Sequence, residues 1–250
     1  MDLELTGKVA LVTGSSSGIG FAIAQQLALE GCHVVLNGRN RERLQAAQTQ
    51  IVGSSSVLAD VRDPDACQAL VQRVLEQHGR LDVLVCNVGS GASVPPGKET
   101  PAEWHRVLEL NLYSTTQAVW AATEALVASR GNVICISSIC GIEALGCPLA
   151  YAAAKAAVES FVRNSARSLG KHGVRINSIA PGNILFEGSV WARKLKEDCD
   201  AVQAMLQREV ALARLGSTKD VAQLTAYLAS PLGGFITGAT YVVDGGQLRS

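Results

Sequence analysis

Short apolar runs recur along the chain, several of them without polar alternation, and segments of helical period separate them. A strand that is apolar on both faces has to be covered on both, which a parallel sheet between two layers of helices achieves. The runs predict strands at 9–12, 33–37, 56–59, 81–86, 132–137, 175–179 and 240–243. Helix ends are marked between them. Asp63-Pro64 and Thr100-Pro101 combine a cap with a first-turn proline, Glu103 follows Thr100 at capping-box spacing, and Gly31 and Gly79 stand where helices should stop. The expected fold class is α/β, a Rossmann-type doubly wound parallel sheet of about seven strands with helices on both faces. No linker-like tract divides residues 1–250, so a single domain is expected.

Hydrophobic residues make up 48% and charged residues 18%, enough apolar material for a large core. Twenty-two basic side chains balance 22 acidic ones. That balance argues against nucleic acid as a partner, which would call for a basic face. The opening MDLELTGKVALVTG carries acidic residues where an export signal would be basic, and no stretch reaches the roughly 18 apolar residues of a membrane span. A cytoplasmic chain with no membrane partner is the expectation. The cysteines, at 32, 67, 86, 135, 140, 147 and 199, contain no CxxC pair. They are expected to be reduced, buried thiols, and no metal site is expected.

The first run leads into Thr13-Gly14-Ser15-Ser16-Ser17-Gly18-Ile19-Gly20 and then an amphipathic helix. Glycines at such a strand-to-helix turn let backbone approach a pyrophosphate, which meets the free N–H groups and positive end of the helix. Gly14, Ser16, Ser17, Gly18, Ile19 and Gly20 are therefore candidate dinucleotide contacts. The second run ends in Asn37-Gly38-Arg39, with no carboxylate for a ribose 2′-hydroxyl. Arg39 can instead pair with a 2′-phosphate, selecting NADP(H), although a solvated charge at a helix start would look the same. Asp60, followed by Val61, and Asn87, followed two residues later by Gly89, end the next two runs along the same edge. Asp60 would accept from an adenine amino group and Asn87 would fix backbone beside the ribose; each also suits a simple Asx turn. Residues 1–90 thus form a candidate cofactor half and 91–250 a catalytic and substrate half.

In the second half, Tyr151 and Lys155 are four apart in an Ala-rich helical stretch and share one face. A cation beside a phenol favours the phenolate and should draw the tyrosine pKa down toward working pH, as a general acid requires. Ser138 lies at the end of a buried run, 13 residues before the tyrosine, where its hydroxyl can reach a substrate oxygen. Most Tyr-to-Lys pairs at this spacing are structural. The segments at 89–98 and 183–212 break the alternation and leave the carboxyl ends of strands, where open α/β sheets bind ligands.

The glycine pattern at 13–20, Asn87-Val88-Gly89, Asn111, Ser138, YxxxK at 151–155 and Pro181-Gly182 resemble, in order and spacing, the short-chain dehydrogenase/reductase family. The likeness spans nearly the whole chain. Within the family it is strongest to the bacterial 3-oxoacyl-acyl-carrier-protein reductases, which also resemble the ending Ile236-Thr237-Gly238 through Asp244-Gly245-Gly246. The resemblance implies that Tyr151 donates a proton, Ser138 polarises a carbonyl, Lys155 holds the nicotinamide ribose and Asn111 completes a proton relay. It implies cofactor contacts at Tyr151, Lys155, Pro181, Gly182 and Ile184. It also implies a homotetramer, or a homodimer, paired through the helices near 101–128 and 149–169, where Ala152, Ala153, Ala156 and Ala157 permit close approach.

Three departures limit what is carried over. Phe186 stands where the family places a threonine near the nicotinamide amide, leaving backbone near Ile184 as the amide's partner. Ser129 and His172 occupy two basic positions used to dock the acyl carrier protein, with Arg130 and Lys171 adjacent. Phe186 and Trp191, within an amphipathic segment, together with Glu143 and Leu145, are candidate substrate contacts; 183–212 is read as a lid or as ordinary helix packing. The leading functional reading is an NADP(H)-dependent oxidoreductase interconverting a ketone or 3-oxoacyl carbonyl and a secondary alcohol. Its substrate would be a small carbonyl or alcohol, or an acyl thioester. A true acyl-carrier-protein reductase and a non-catalytic NADP-binding protein are the alternatives.

Overall fold

A computed structural model describes residues 2–249. In chain order the elements are β1 (Val9–Val12), α1 (Gly18–Leu29), β2 (His33–Gly38), α2 (Arg41–Thr49), β3 (Ser55–Leu58), α3 (Pro64–His78) and β4 (Val83–Cys86). Next come α4 (Pro101–Leu108), a π turn (Glu109–Tyr113), α5 (Ser114–Ser129), β5 (Asn132–Ile136), α6 (Leu149–Gly170) and β6 (Arg175–Pro181). The chain closes with β7 (Ile184–Leu185), α7 (Val190–Glu197), α8 (Cys199–Glu209), β8 (Gly216–Ser217), α9 (Thr218–Ala229) and β9 (Thr240–Val243). The main sheet has seven strands in the order β3-β2-β1-β4-β5-β6-β9, and every pairing in it is parallel.

Successive side chains of each strand enter opposite layers, so two cores form. Ala10, Val12, Leu36, Val85, Ile134 and Ile179 meet α1 and α9 on one face, while Val9, Leu11, Val35, Leu84, Val133 and Ile176 meet α3, α5 and α6 on the other. This explains the apolar runs without alternation. The strand order reverses between β1 and β4, which opens a crevice at their carboxyl ends.

Two elements differ from the sequence expectation. The helix expected over 101–128 is interrupted by the π turn, which centres on the fully buried Asn111. In the segment at 183–212, β7 pairs with β8 in a two-residue ribbon too short to show any sequence period. The two helices of that segment, α7 and α8, pack around a small separate cluster of Val202, Leu206 and Val210 with Trp191, Leu195 and Met205.

At the opposite edge of the sheet, Asp82 joins the starts of β1 and β4. Its carboxylate, 5% exposed, accepts from the Val9 N–H at 2.9 Å and from Arg80 Nε at 2.8 Å, and Lys8 Nζ lies at 3.8 Å. Removing it strands a buried backbone donor beside cations. Asp82→Ala is expected to cost about 2 kcal/mol of stability, the penalty for a buried group left unpaired. A urea titration checks this; an unchanged midpoint would contradict it.

Candidate active site

A cleft of about 1210 Å³ runs along the carboxyl edge of the sheet, and the glycine turn, Arg39, Asp60, Asn87, Gly89, Ser138, Tyr151, Lys155 and Phe186 line it. At its cofactor end, Asn87 ties β4 to the glycine turn: its Nδ2 donates to the Thr13 and Gly14 carbonyls at 3.1 Å each, and its backbone N–H donates to Thr13 Oγ1 at 3.0 Å. A Cβ on Gly20 would stand 2.5 Å from the Gly14 carbonyl oxygen and collide with the Asn87 amide. The first turn of α1 can therefore press against the strand ends only with glycine at that position. Ser17, the N-cap of α1, makes no side-chain cap bond. The helix start thus presents its backbone donors to the cleft, which suits a pyrophosphate.

The adenosine side fits a phosphorylated ribose. A Cβ on Gly38 would make only ordinary contacts, 3.4 Å from Ser16 Oγ at the nearest, so no crowding in the free chain calls for glycine there. Instead it leaves room beside Ser16 and Arg39. Asp60 is held by Arg62, whose Nε donates to both carboxylate oxygens at 3.0 Å, while Arg39 stands 4.0 Å away with its side chain 66% exposed. Hydrogen bonds from Arg62 hold the Asp60 carboxyl below its ordinary pKa. Asp60 is thus paired mainly with Arg62, and Arg39, at the limit of ion-pair distance and largely exposed, can turn to a ligand anion. Val61 is buried next to Asp60.

At the chemical end four elements converge. Lys155, buried at 3% exposure, donates from Nζ to the Ile136 carbonyl at 2.8 Å. Asn111 Oδ1 accepts from the Ser90 N–H at 2.9 Å, and its Nδ2 donates to the Val107 carbonyl at 3.0 Å and to Ser90 O at 3.2 Å. A Cβ on Gly89 would lie 2.7 Å from Asn111 Oδ1 and 3.0 Å from Lys155 Nζ, so these groups meet only because that position is glycine. Asn111 stands behind this glycine, and the π turn presents its side chain there. Ser138 caps a short 3₁₀ turn, Ile139–Gly141, its Oγ accepting from the Cys140 N–H at 3.2 Å.

The electrostatics correct one expectation. Burial raises the Tyr151 pKa above its ordinary value, with the Ser138 hydroxyl pulling the other way. Lys155 does not draw the phenol down. Its Nζ lies 5.8 Å from the ring centroid, and burial lowers its own pKa to about 8. One helical turn on, the buried Glu159 accepts from Ser137 Oγ at 2.8 Å, and its own pKa is raised by burial.

The residues expected to touch substrate do not all reach the cleft. Leu145, Phe186 and Trp191 line the cleft, as do Pro181, Gly182 and Ile184. Phe186 lies on the glycine turn, its Cε2 2.8 Å from where a Cβ on Gly18 would stand. Trp191 also belongs to the cluster beneath α7 and α8, and Lys194 Nζ lies 4.6 Å from its ring centroid. Glu143 turns away and accepts from the Arg249 backbone N–H at 3.0 Å. The expectation of reduced, buried cysteines is also corrected: Cys140 and Cys147 form a disulfide, and Cys199 is exposed. The turn after Ser138 brings the two Cα atoms to 6.2 Å, within reach of a bridge.

Sequence reasoning missed Arg62, Glu159 and Gln247. The first two sit at legible spacings, two after Asp60 and four after Lys155. Gln247 carried no such signal; it lines the cleft, and its buried Oε1 has no hydrogen-bond partner. Among the described residues, no three His, Cys, Asp or Glu side chains gather as a metal site, and no helix is long and apolar enough to cross a membrane.

A family model described as enoyl-(acyl carrier protein) reductase matches residues 14–247. A 3-oxoacyl-[acyl-carrier-protein] reductase of Staphylococcus aureus is 36% identical over 249 residues, covering 96% of this chain and 98% of that one. Glucose 1-dehydrogenase 2 of Bacillus subtilis is 34% identical, with 98% of this chain and 96% of that one covered. The solved structure of L-sorbose reductase from Gluconobacter frateurii, complexed with NADPH and L-sorbose, matches with a TM-score of 0.93 and 31% identity over 100% of both chains.

If Arg39 meets a 2′-phosphate, Arg39→Ala removes a charge-assisted contact and should raise the KM for NADPH by roughly 10- to 100-fold while leaving that for NADH nearly unchanged. Steady-state kinetics with both cofactors decide it; equal effects would contradict the assignment.

Proposed function

The chain belongs to the short-chain dehydrogenase/reductase family, and from that premise we propose that it uses NADPH to reduce a ketone or 3-oxoacyl carbonyl to a secondary alcohol. The observation that supports this reading is the convergence of Ser138, Tyr151 and Lys155 on the cleft, with Asn111 buried behind Gly89, next to a helix start that suits a pyrophosphate. The first turn of α1 would hold the pyrophosphate of the nicotinamide cofactor and Arg39 its 2′-phosphate, and the chemistry the cofactor would supply is the hydride.

The protein's share is proton delivery and orientation. With its pKa raised above the ordinary phenol value, the Tyr151 hydroxyl is protonated at neutral pH and is a donor ready for a carbonyl oxygen. Ser138 Oγ holds that oxygen. Lys155, with its pKa near 8, is mostly charged at neutral pH and would hold the nicotinamide ribose beside the phenol. Asn111, through Ser90 and its approach to Lys155 across Gly89, belongs to the path that restores the proton.

In this reading α7 and α8 move together as the lid at 183–212, because their shared cluster of Val202, Leu206 and Val210 makes them a unit. The substrate lies between Leu145 and Trp191. A free carbonyl compound or thioester is favoured over one docked through a carrier protein, since the Ser129 hydroxyl is spent on the Leu81 carbonyl at 2.6 Å and supplies no cation. The chain would work in the cytoplasm. Exposed Ala153 and Ala156 on α6, with Trp120 60% exposed on α5, suit pairing with a second copy on the way to a tetramer.

Replacing Tyr151 by Phe keeps the ring and removes the proton. Turnover should fall by about 10³-fold, the usual order for general acid catalysis, while NADPH still binds in a fluorescence titration. Wild-type turnover in this variant would refute the proton donor.

A further inference from the structure

Cys140 and Cys147 bracket the wall that separates Ser138 from Tyr151, and both line the cleft. Neither is buried, whereas Cys32, Cys67, Cys86 and Cys135 are. Burial also pushes the Cys32 and Cys67 thiols up to about 12, far from a reactive thiolate. A small reagent entering the cleft therefore reaches the bonded pair before any core thiol.

The two ends of the bridge are anchored unequally. On the Cys140 side, Gly141 presses on α6: a Cβ there would stand 2.7 Å from the Ala156 nitrogen and 2.8 Å from the Lys155 carbonyl carbon. Gly141 N–H also donates to Ser138 O at 2.9 Å, and Glu143 N–H to Ile139 O at 3.1 Å. On the Cys147 side, among the described residues, no hydrogen bond within the chain involves Ala144 through Cys147. The sulfur bridge is what ties this stretch, with Leu145 in it, to the fixed end.

We propose that Cys140–Cys147 is a thiol–disulfide exchange site through which small dithiols loosen the substrate wall of the cleft. In the exchange a thiolate of the dithiol attacks one sulfur and breaks the Cys140–Cys147 bond, giving a mixed disulfide. The reagent's second thiol then displaces the remaining cysteine. Two electrons and two protons pass to Cys140 and Cys147, and the reagent leaves as a cyclic disulfide. A glutathione-type disulfide reverses the step by accepting the same two electrons. Reduction frees Ala144 to Cys147 and leaves Ser138, Gly141 and α6 packed as before. Substrate affinity should therefore weaken while NADPH affinity stays the same.

The test uses the full chain with Cys199→Ser, which removes the exposed thiol outside the cleft. Native protein equilibrated with oxidised glutathione, alkylated and peptide-mapped should show residues 140 and 147 linked. After mild dithiothreitol both should be alkylated, with Cys32, Cys67, Cys86 and Cys135 untouched. The substrate KM should rise about five-fold on reduction, the cost of re-ordering roughly one residue of backbone, with the NADPH dissociation constant unmoved. The double variant Cys140→Ser/Cys147→Ser should ignore the reductant. Where that variant fails to fold, Cys147→Ala replaces it, and the mapping of the native chain stands by itself. An unlinked pair under oxidised glutathione, a link that yields only on unfolding, or an equal KM response with and without the two sulfurs would overturn the proposal.

Discussion

Asn111 Oδ1 and Lys155 Nζ come within 2.7 and 3.0 Å of the point where a side chain on Gly89 would begin. The loop after β4 can thus lie against both the π turn and α6 only because it has no side chain there. Much of the chemistry depends on that close approach. It sets Lys155 at the base of the cleft, where the Ile136 carbonyl at the end of β5 holds it, and it links the lysine to the Asn111 amide that braces Ser90. The fold supplies these pieces from four separate elements, and the parallel sheet aligns their ends on one edge.

Burial and charge compete at this edge, and burial prevails in the free chain. It raises Tyr151, lowers Lys155 to about 8 and raises Glu159, in each case disfavouring the charged form. A protonated phenol beside a lysine that is charged at neutral pH suits reduction. The reverse reaction needs the phenolate and is therefore favoured by higher pH. Away from the chemistry, Arg62 pairs with Asp60, which keeps a carboxylate near a ribose phosphate from opposing Arg39.

Much of this was legible in the residues. Unalternated runs gave away a sheet covered on both faces, because burial on both sides removes the need for polar positions. The glycine turn was legible because Gly20 leaves room for strand ends and an Asn87 amide that any side chain would displace. What stayed hidden depends on distance in three dimensions. The π turn at Asn111 is local backbone geometry without a sequence period. The bridge from Cys140 to Cys147 follows from how the turn after Ser138 folds back, and the cleft-lining Gln247 reaches the site from the far end of the chain. The direction of the Tyr151 pKa shift is not legible either, because spacing on a helix reveals a neighbouring cation and conceals how deeply both groups are buried.

The relatives described above are a 3-oxoacyl-[acyl-carrier-protein] reductase, a glucose dehydrogenase and an L-sorbose reductase, while the matching family model is described as an enoyl reductase and a further relative is a 2,4-dienoyl-CoA reductase, so the bond reduced is the central question. The most direct measurement follows deuterium from [4-²H]NADPH, labelled on the transferred face, into the product of a 3-oxoacyl thioester, with the matching enoyl thioester run alongside. Deuterium is expected on the carbinol carbon of the 3-oxoacyl product, with no turnover of the enoyl compound. Label on a saturated carbon of the enoyl product, with the ketone untouched, would contradict it.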